Sequence, residues 1–291
     1  MDFTLSKRNY YCLISGLPDI ILEDTKTGKG GLSLKFKTDL SEQLHPNDYE
    51  LAKLLYLHYD NKNLQNLLFR PVKPFSILGN YSQAYLIEQI NEPERREDYI
   101  FSLINSLKDE SFSLDNVNVT QSWFYSHVLK TKNSFLKRWF TFDKDMKNIL
   151  TAVNCKKYKY NSEQHLISVK NSNDVYNILV KNGPKEDLLT DELAFADEII
   201  QIAESDMDIT AKEKALDLIK WKFLDESIVF SYFTIEKILV YILKLEMLER
   251  WREIDDETGK AFFSKLVHDL KSGYAFTEEF SLTKRKIVDN N

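Results

Sequence analysis

Glycine and proline, the residues that most often interrupt helices and form turns, are scarce in this chain. Together they occupy 14 of its 291 positions. A sandwich or barrel of many short strands needs frequent turn residues, and a disordered chain is usually rich in them. Both classes are therefore excluded. A chain of this length, 43% hydrophobic, can bury a large core without metal or disulfide support.

The apolar residues recur at helical spacing through most of the chain. Thr210-Ala-Lys-Glu213 has the capping-box pattern and predicts the start of a helix. The best strand candidate is 159–169, while 10–15 fits a strand or a helix. The sequence thus predicts an all-α protein built from bundles of antiparallel helices, with little or no sheet. Helices are predicted to begin after Pro46 and at Thr210, and to cover 63–69, 82–90, 94–107, 122–130, 134–140, 144–153, 191–203, 234–251 and 258–270.

No polar linker is long enough to mark a domain boundary, so residues 1–291 are predicted to form one domain. Its possible lobes cover about 1–110, 111–205 and 206–291. A weak internal similarity relates 63–68 to 145–150, since both follow the pattern polar, apolar, polar, Asn, apolar, apolar. Short amphipathic patterns also recur by chance in helical proteins, so duplication stays one of two interpretations.

Charge and composition limit the partners of the chain. Its formal net charge of −6, without an obvious basic stripe, argues against a nucleic-acid partner. Its two cysteines, Cys12 and Cys155, are too few for a disulfide framework. The first residues lack the layout of a secretory signal, and no segment approaches the ~20 charge-free residues that span a bilayer. We expect a soluble cytoplasmic protein that is able to lie against a membrane complex.

Motifs for catalysis are missing from the sequence. The stretch 27–31 superficially resembles a phosphate-binding loop, but Glu23 replaces its first glycine and Gly30 follows the lysine. The five histidines are dispersed without metal-ligand spacing. The acidic pairs Asp255-Asp256 and Glu278-Glu279 are typical of solvated surface charge. We therefore expect no catalytic, cofactor-binding or metal-binding residues and no small-molecule substrate.

The segment 234–251 is the most informative one. Ile235, Leu239 and Ile242 fall on one helical face, and farther along the same face becomes charged through Glu246, Glu249 and Arg250. Glu246 and Arg250 have the i, i+4 spacing of an ion pair. Either these charges meet water where the helix leaves the core, or they form a polar seam against another helix or a partner subunit.

Two aromatic clusters, 123–125 and 137–140, place large rings on successive helical faces. Contiguous exposed aromatic residues usually mark a protein-binding surface. A thick core explains the same pattern, so both interpretations stay open.

Three segments resemble known proteins. Residues 10–19, Tyr-Tyr-Cys-Leu-Ile-Ser-Gly-Leu-Pro-Asp, resemble the start of a group of bacterial proteins of unknown function that are typically encoded beside V-type ATPase subunits. Residues 59–70 resemble the aromatic-Asp-x-x-Asn-Leu…Leu-Arg element of the C/d-type subunit of the V-type ATPase, with Phe69 inserted before the arginine. Residues 241–251 are similar in character to a late lysine–glutamate helix of that subunit.

The resemblance implies an all-helical funnel of related bundles on the inner face of the membrane. Such a subunit joins the central shaft to the membrane rotor ring, transmits torque for ion transport, and binds no nucleotide. The shaft and ring subunits are its expected partners. The partner-binding residues expected on this basis are Asn63, Asn66, Arg70, Glu246, Glu249 and Arg250. Charge reversal of Arg250 is expected to weaken assembly and leave the fold intact.

Two other functions remain open. A helical scaffold or adaptor of another complex would share nearly every feature of this sequence. An enzyme whose catalytic groups converge from distant parts of the chain would show a deep pocket with clustered ionisable groups.

Overall fold

The computed structural model describes residues 8–21, 31–69, 74–92, 99–108, 116–170, 174–190 and 192–273, with the backbone alone for 69, 106–108, 116–118, 174 and 255–273. Every regular element in these ranges is a helix, and the predicted all-α fold is confirmed. The helices are α1 (Tyr11–Ser15), α2 (Leu32–Gln43), α3 (Pro46–Phe69), α4 (Gln83–Asn91), α5 (Tyr99–Lys108), α6 (Asn116–Val128), α7 (Ser134–Tyr158), α8 (Asp174–Asn182), α9 (Glu186–Leu189), α10 (Ala196–Glu204), α11 (Ile209–Ser227) and α12 (Ile235–Gly273), with a 3-10 turn at Ser162–Gln164.

Three long helices, α3, α7 and α12, organise the described part of the fold. Each follows a shorter helix after a brief connection, which makes the antiparallel pairs α2–α3, α6–α7 and α11–α12. The connections are residues 44–45, 129–133 and 228–234. One pair falls within each of the three lobes predicted from the sequence, although the division into lobes stays a prediction.

The three connections lie at one end of the molecule, which we call the turn end. The backbone N–H of Tyr10 donates to the carbonyl of Phe233 (2.7 Å), and its hydroxyl donates to Asp48 at the start of α3 (2.5 Å). Tyr10 therefore links the α11–α12 connection to the beginning of α3. Asn133 places the α6–α7 connection at the same end, because its side chain donates to Glu236 in the first turn of α12 (3.3 Å).

An aromatic cluster lies within the core between α7 and α11. Phe142 of α7 stacks face to face with Phe223 of α11, with ring centroids 4.1 Å apart and an interplanar angle of 6°. Phe195, before α10, meets Phe142 edge-on at 6.5 Å, and Trp139 lies 6.2 Å from Phe223. Since aromatic side chains bury large areas, these rings join the second and third helix pairs.

The long helices are continuous where the sequence predicted breaks. Residues 57–62 and 141–143 contain charged groups that interrupt the apolar pattern, and they separated the predicted segments. The structure instead accommodates such groups inside helices: Asp60 is fully buried, and Asp143 pairs with Lys147 on the next turn at 2.8 Å. A helix can continue through a polar residue on its buried face. Hydrophobic spacing alone therefore did not predict that α3 and α7 are continuous.

The strand candidate 159–169 does not form a strand. The segment contains the 3-10 turn at Ser162–Gln164 and no strand. Its buried residues Leu166, Ile167 and Val169 pack against the helical core and have no neighbouring strand among the described residues. Short apolar runs do not distinguish a strand from an extended segment on a helical core.

The predicted capping box at Thr210 is also wrong. Asp208 is the N-cap residue, and its carboxylate accepts the N–H of Ala211 at 2.9 Å. Thr210 is the second residue of α11. An aspartate two positions earlier thus supplies the bond that the threonine was expected to make.

We predict that Phe142→Ala lowers the free energy of unfolding by about 3–5 kcal/mol, because it leaves a cavity between Phe223 and Phe195. Urea denaturation measures this change. The control Tyr160→Ala removes a ring that is 66% exposed and should cost no more than about 0.5 kcal/mol. Equal effects of the two substitutions would contradict the assigned core.

Candidate functional site

Asn63, one of the predicted site residues, is buried on α3 and bonds to the segment that follows this helix. Its side-chain amide donates to the carbonyl of Ser76 (2.8 Å), and its carbonyl oxygen accepts the N–H of Ser76 (2.8 Å). Both backbone groups of one loop residue are thereby satisfied. The role of Asn63 in fixing a turn is visible in these two bonds, whereas a contact with a partner is not tested.

Asp60 stands one turn before Asn63 and bonds to the same segment. Its carboxylate accepts the backbone N–H groups of Asn80 (2.9 Å) and Tyr81 (3.0 Å). Burial raises the pKa of Asp60, and these hydrogen bonds oppose the increase. Gly79 passes so close that an added Cβ would lie 2.3 Å from Asp60 Oδ1. A residue without a side chain is therefore required at position 79.

A second asparagine makes the same pair of bonds on α7. Asn148 is buried, donates to the carbonyl of Ile167 (3.0 Å) and accepts the N–H of Ile167 (2.7 Å). Asp145 stands three residues before it, as Asp60 does before Asn63. Asp145 differs in its contacts, because it pairs with the buried Lys144.

The internal similarity is therefore present in a different register from the one that the sequence suggested. Asn63 matches Asn148 in its hydrogen bonds, whereas the sequence pattern aligned Asn63 with Asp145. The pattern compared only polar and apolar positions, and these repeat at several offsets along an amphipathic helix. The hydrogen bonds to the backbone distinguish between these alignments and favour the one that pairs Asn63 with Asn148.

Glu246 and Glu249 occupy the corresponding place on α12. Glu246 is as far from the first residue of α12 as Asp145 is from the first residue of α7. Glu249 also bonds to backbone, since its carboxylate accepts the N–H groups of Leu32 and Ser33 (3.1 Å for Ser33) at the start of α2. A carboxylate there satisfies free N–H groups and lies at the positive end of the helix dipole.

Glu246 faces the junction of α12 with α2 and α3. One of its carboxylate oxygens is buried without a hydrogen-bond partner. Burial raises the pKa of Glu246, Lys62 and Lys37 oppose the increase, and the nearby Glu249 adds to it, so that the resulting pKa is about 8. The buried carboxyl of Glu246 therefore favours its protonated form more than an exposed glutamate does.

Arg250 bonds within the chain, to the α11 helix. It forms an ion pair with Asp217, which is buried and also accepts the indole N–H of Trp251 (2.9 Å) and lies 3.3 Å from Lys220. The Arg250 side chain remains 45% exposed. Its ion pair is thus with Asp217, and the expected i, i+4 partner Glu246 faces another helix junction.

This pairing changes the expected effect of reversing the charge of Arg250. A glutamate at position 250 would stand beside the buried Asp217 carboxylate, so the substitution would disturb the fold as well as any interface. A neutral replacement is the cleaner probe of assembly, because Lys220 and Trp251 continue to neutralise and bond Asp217.

The two remaining predicted site residues have different outcomes. Asn66 is half-buried on α3, and its side chain makes no hydrogen bond to the described residues. Arg70 lies outside the described residues. The structure thus joins Asn63 to the loop after α3 and Glu249 to α2, while Arg250 lies on the α11 side of α12.

Sequence analysis missed Asp217, which organises the contact between α11 and α12. In this helix the apolar Leu218 is exposed, whereas its neighbour Asp217 is buried. A single carboxylate next to leucines gives no sequence signal of burial. The burial of Asp217 is explained by its bonds to Trp251 and Arg250 of α12.

The two predicted aromatic clusters belong mainly to the core. Phe124, Tyr125, Trp139 and Phe140 are buried, and Trp123 packs against the same cluster. The most exposed aromatic residues lie elsewhere, in the α11–α12 connection, where Phe230 is 91% and Tyr232 69% exposed. We call Phe230, Tyr232 and Phe233 the aromatic tip, together with Tyr11, whose ring is tilted against that of Phe233 with centroids 4.7 Å apart.

An open cleft of about 340 Å³ lies between the end of α7 and the segment after α8. Cys155, Lys156, Tyr160 and Lys185 are its ionisable lining residues, and no carboxylate lines it. Among the residues whose side chains are described, no cluster of histidine, cysteine and acidic residues has the arrangement of a metal site. None of the described helices combines the length and the apolar content that crossing a bilayer requires.

Comparison with known proteins assigns the chain to a family. The model of the family described as protein of unknown function DUF2764 matches residues 7–274, and the chain belongs to this family. Neither the curated proteins nor the solved structures include a match to the chain.

We predict that Asn63→Ala lowers the free energy of unfolding by about 2 kcal/mol, because the N–H and carbonyl of Ser76 lose their partner. Asn66→Ala is a matched control on the same helix and should change it by less than about 0.5 kcal/mol. Urea denaturation of both variants measures the difference. If Asn66→Ala were the more destabilising of the two, the assigned role of Asn63 would be wrong.

The raised pKa of Glu246 predicts a pH-dependent stability. Its contribution is fully present below the ordinary pKa of 4.5 and is lost as the pH rises toward about 8, because the folded state favours the protonated carboxyl. The stability of the unaltered protein relative to Glu246→Gln should fall across this window by up to about 1.4 kcal/mol per pH unit. Above about pH 8, the difference in stability between the two proteins should no longer change with pH.

Urea denaturation of both proteins at a series of pH values tests this expectation. Glu226→Gln, which removes an exposed carboxylate from α11, controls for the loss of one negative charge. A stability difference for Glu246→Gln that stays constant from pH 4 to 9 would contradict the assignment.

Proposed function

We propose that this protein is a non-catalytic subunit of a V-type rotary ATPase that connects the central shaft to the membrane rotor ring. In this role it transmits torque for ion transport and lies at the inner face of the membrane. Its partners are the shaft and ring subunits, and it uses no nucleic acid, cofactor or small-molecule substrate.

The observation that carries the proposal is the repeated helix pair. Residues 59–70 resemble the aromatic-Asp-x-x-Asn-Leu element of the C/d-type subunit. The Asp60–Asn63 pair of this element has a counterpart in Asp145–Asn148 and a polar equivalent in Glu246–Glu249. Three related helix pairs agree with the plan of related bundles that the resemblance implies.

The internal contacts also suit a part that transmits force. The polar groups of the long helices bond to backbone of other elements: Asn63 to Ser76, Asn148 to Ile167 and Glu249 to α2. Such bonds hold elements at fixed distances, because each uses two atoms of one side chain. A connector between two rotating assemblies needs this resistance to internal shear.

The chain, tagged and purified from gently solubilised membranes, should bring the V-type ATPase shaft and ring subunits with it in stoichiometric amounts. Mass spectrometry of the purified material measures this. An intact V-type complex recovered through another of its subunits, without this chain, would refute the proposal. Recovery of a different stable complex would favour the scaffold alternative.

Arg250→Gln tests the polar surface of α12 in the same assay. If the exposed part of Arg250 contacts a partner, the variant should recover several-fold less of the shaft and ring subunits. Lys156→Gln is a matched control, since Lys156 is also an exposed cation in an ion pair, with Glu204 at 3.1 Å. Thermal unfolding shows whether both variants keep the fold.

A further inference from the structure

The aromatic tip is an exposed apolar surface on a braced turn. The N–H of Ser231 donates to the carbonyl of Ile228 (2.8 Å), and that of Tyr10 donates to the carbonyl of Phe233. Ile228 and Ile235 anchor the two sides of the connection in the core. The outward position of Phe230 and Tyr232 is therefore fixed by the fold, at a cost in exposed apolar area.

Basic side chains flank this tip. We call the exposed residues Lys130, Lys132, Lys137 and Arg138, in the α6–α7 connection and the first turns of α7, the basic collar. Arg138 lies directly beside the tip, since its guanidinium donates to the carbonyl of Ser227 (3.4 Å). The bond from Asn133 to Glu236 holds the collar against the start of α12.

The exposed acids Glu42 and Glu50 of the turn end belong to the α2–α3 pair, and Glu50 pairs with Lys53 at 2.7 Å. Closer to the collar, most acidic groups are buried or paired. Glu236 is buried and accepts bonds from Asn133 and Thr234. Asp48 faces Arg8 at 3.5 Å, and Asp225 pairs with Lys244 at 2.6 Å. Glu226 is the exposed acid nearest the tip along α11. A chain that is acidic overall thus carries a local positive surface around its most exposed aromatic residue.

We propose that the turn end binds anionic membrane surfaces, with the aromatic tip in the headgroup layer and the basic collar on the lipid phosphates. Aromatic side chains favour the boundary between headgroups and acyl chains, and each lysine or arginine near an anionic surface adds attraction. The contact is shallow and uses a loop, without a helix that enters the bilayer.

The shape of the tip favours a membrane over a protein partner. Phe230 projects from the end of a connection, so a protein would need a pocket to cover it, whereas a lipid layer surrounds a convex apolar tip without one. The collar lies beside the tip, where it would meet the headgroups of the same layer. Charge complementarity therefore points to an anionic lipid surface.

The test uses the purified full-length protein and vesicles of phosphatidylcholine with or without phosphatidylglycerol. Sedimentation should show binding to the vesicles that contain phosphatidylglycerol, little binding to phosphatidylcholine alone, and weaker binding at high salt. The double variant Phe230→Ser, Tyr232→Ser should bind at least about tenfold more weakly. Lys130→Glu with Lys132→Glu should lose most of the binding.

The opposite end of α7 supplies matched controls. Tyr158 and Tyr160 are 62% and 66% exposed, and Lys156 and Lys157 are exposed beside them. Tyr158→Ser with Tyr160→Ser, and Lys156→Glu with Lys157→Glu, should leave vesicle binding within about twofold of the unaltered protein. Circular dichroism and thermal unfolding establish that each variant is folded.

Two results would overturn the proposal: no binding to the anionic vesicles, or equal losses for the tip and control variants. A partner protein that covers the tip would give the first of these. The assay contains no other ATPase subunit, so its outcome is independent of the proposed coupling function.

Discussion

Backbone groups that leave a helix need hydrogen-bond partners, and in this protein side chains of the long helices supply them. Asn63 and Asn148 each bond both groups of one residue in the segment that follows their helix, and Glu249 bonds the first N–H groups of α2. These bonds fix where each connecting segment returns to the helices. The packing of the shorter helices depends on those return points.

The buried polar groups also determine the electrostatics of the interior. Asp217 and Asp60 are stable in the core because backbone N–H groups or cations face them. Glu246 has weaker compensation, and burial raises the pKa of its carboxyl. The interior of the helix junction around α12 is therefore more sensitive to protons than the aromatic core around Phe142.

The class of fold was predictable from the sequence, because helical spacing and the scarcity of turn residues act over the whole chain. The points at which helices continue or end were less predictable. The continuity of α3 depends on burying Asp60, whose partners Asn80 and Tyr81 come from the loop after the helix. The continuity of α7 depends on Asp143, which accepts a hydrogen bond from Tyr125 of α6. The same limit applies to the segment 159–169, whose apolar residues pack on helices and not in a sheet.

The candidate site was predictable to the extent that its residues interrupt apolar faces. Glu246, Glu249 and Arg250 were singled out because they interrupt an apolar face, and they lie where α12 meets α2, α3 or α11. Asn63, expected from the resemblance, bonds to the loop after α3. Their partners were not predictable, since Ser76, Leu32 and Asp217 carry no pattern that refers to them. The aromatic tip was missed because the exposure of Phe230 depends on the turn that presents it.

The bond from Glu249 to α2 has a consequence for biosynthesis. Gly31 before this helix has a left-handed backbone (φ 94°) and contributes no side-chain cap, so the start of α2 relies on a carboxylate more than 200 residues later. During translation that carboxylate emerges only when most of α12 has been made. The amino-terminal helix pair therefore completes its first turn late, and a ribosome-bound fragment that ends before α12 presents those N–H groups to water or to a chaperone.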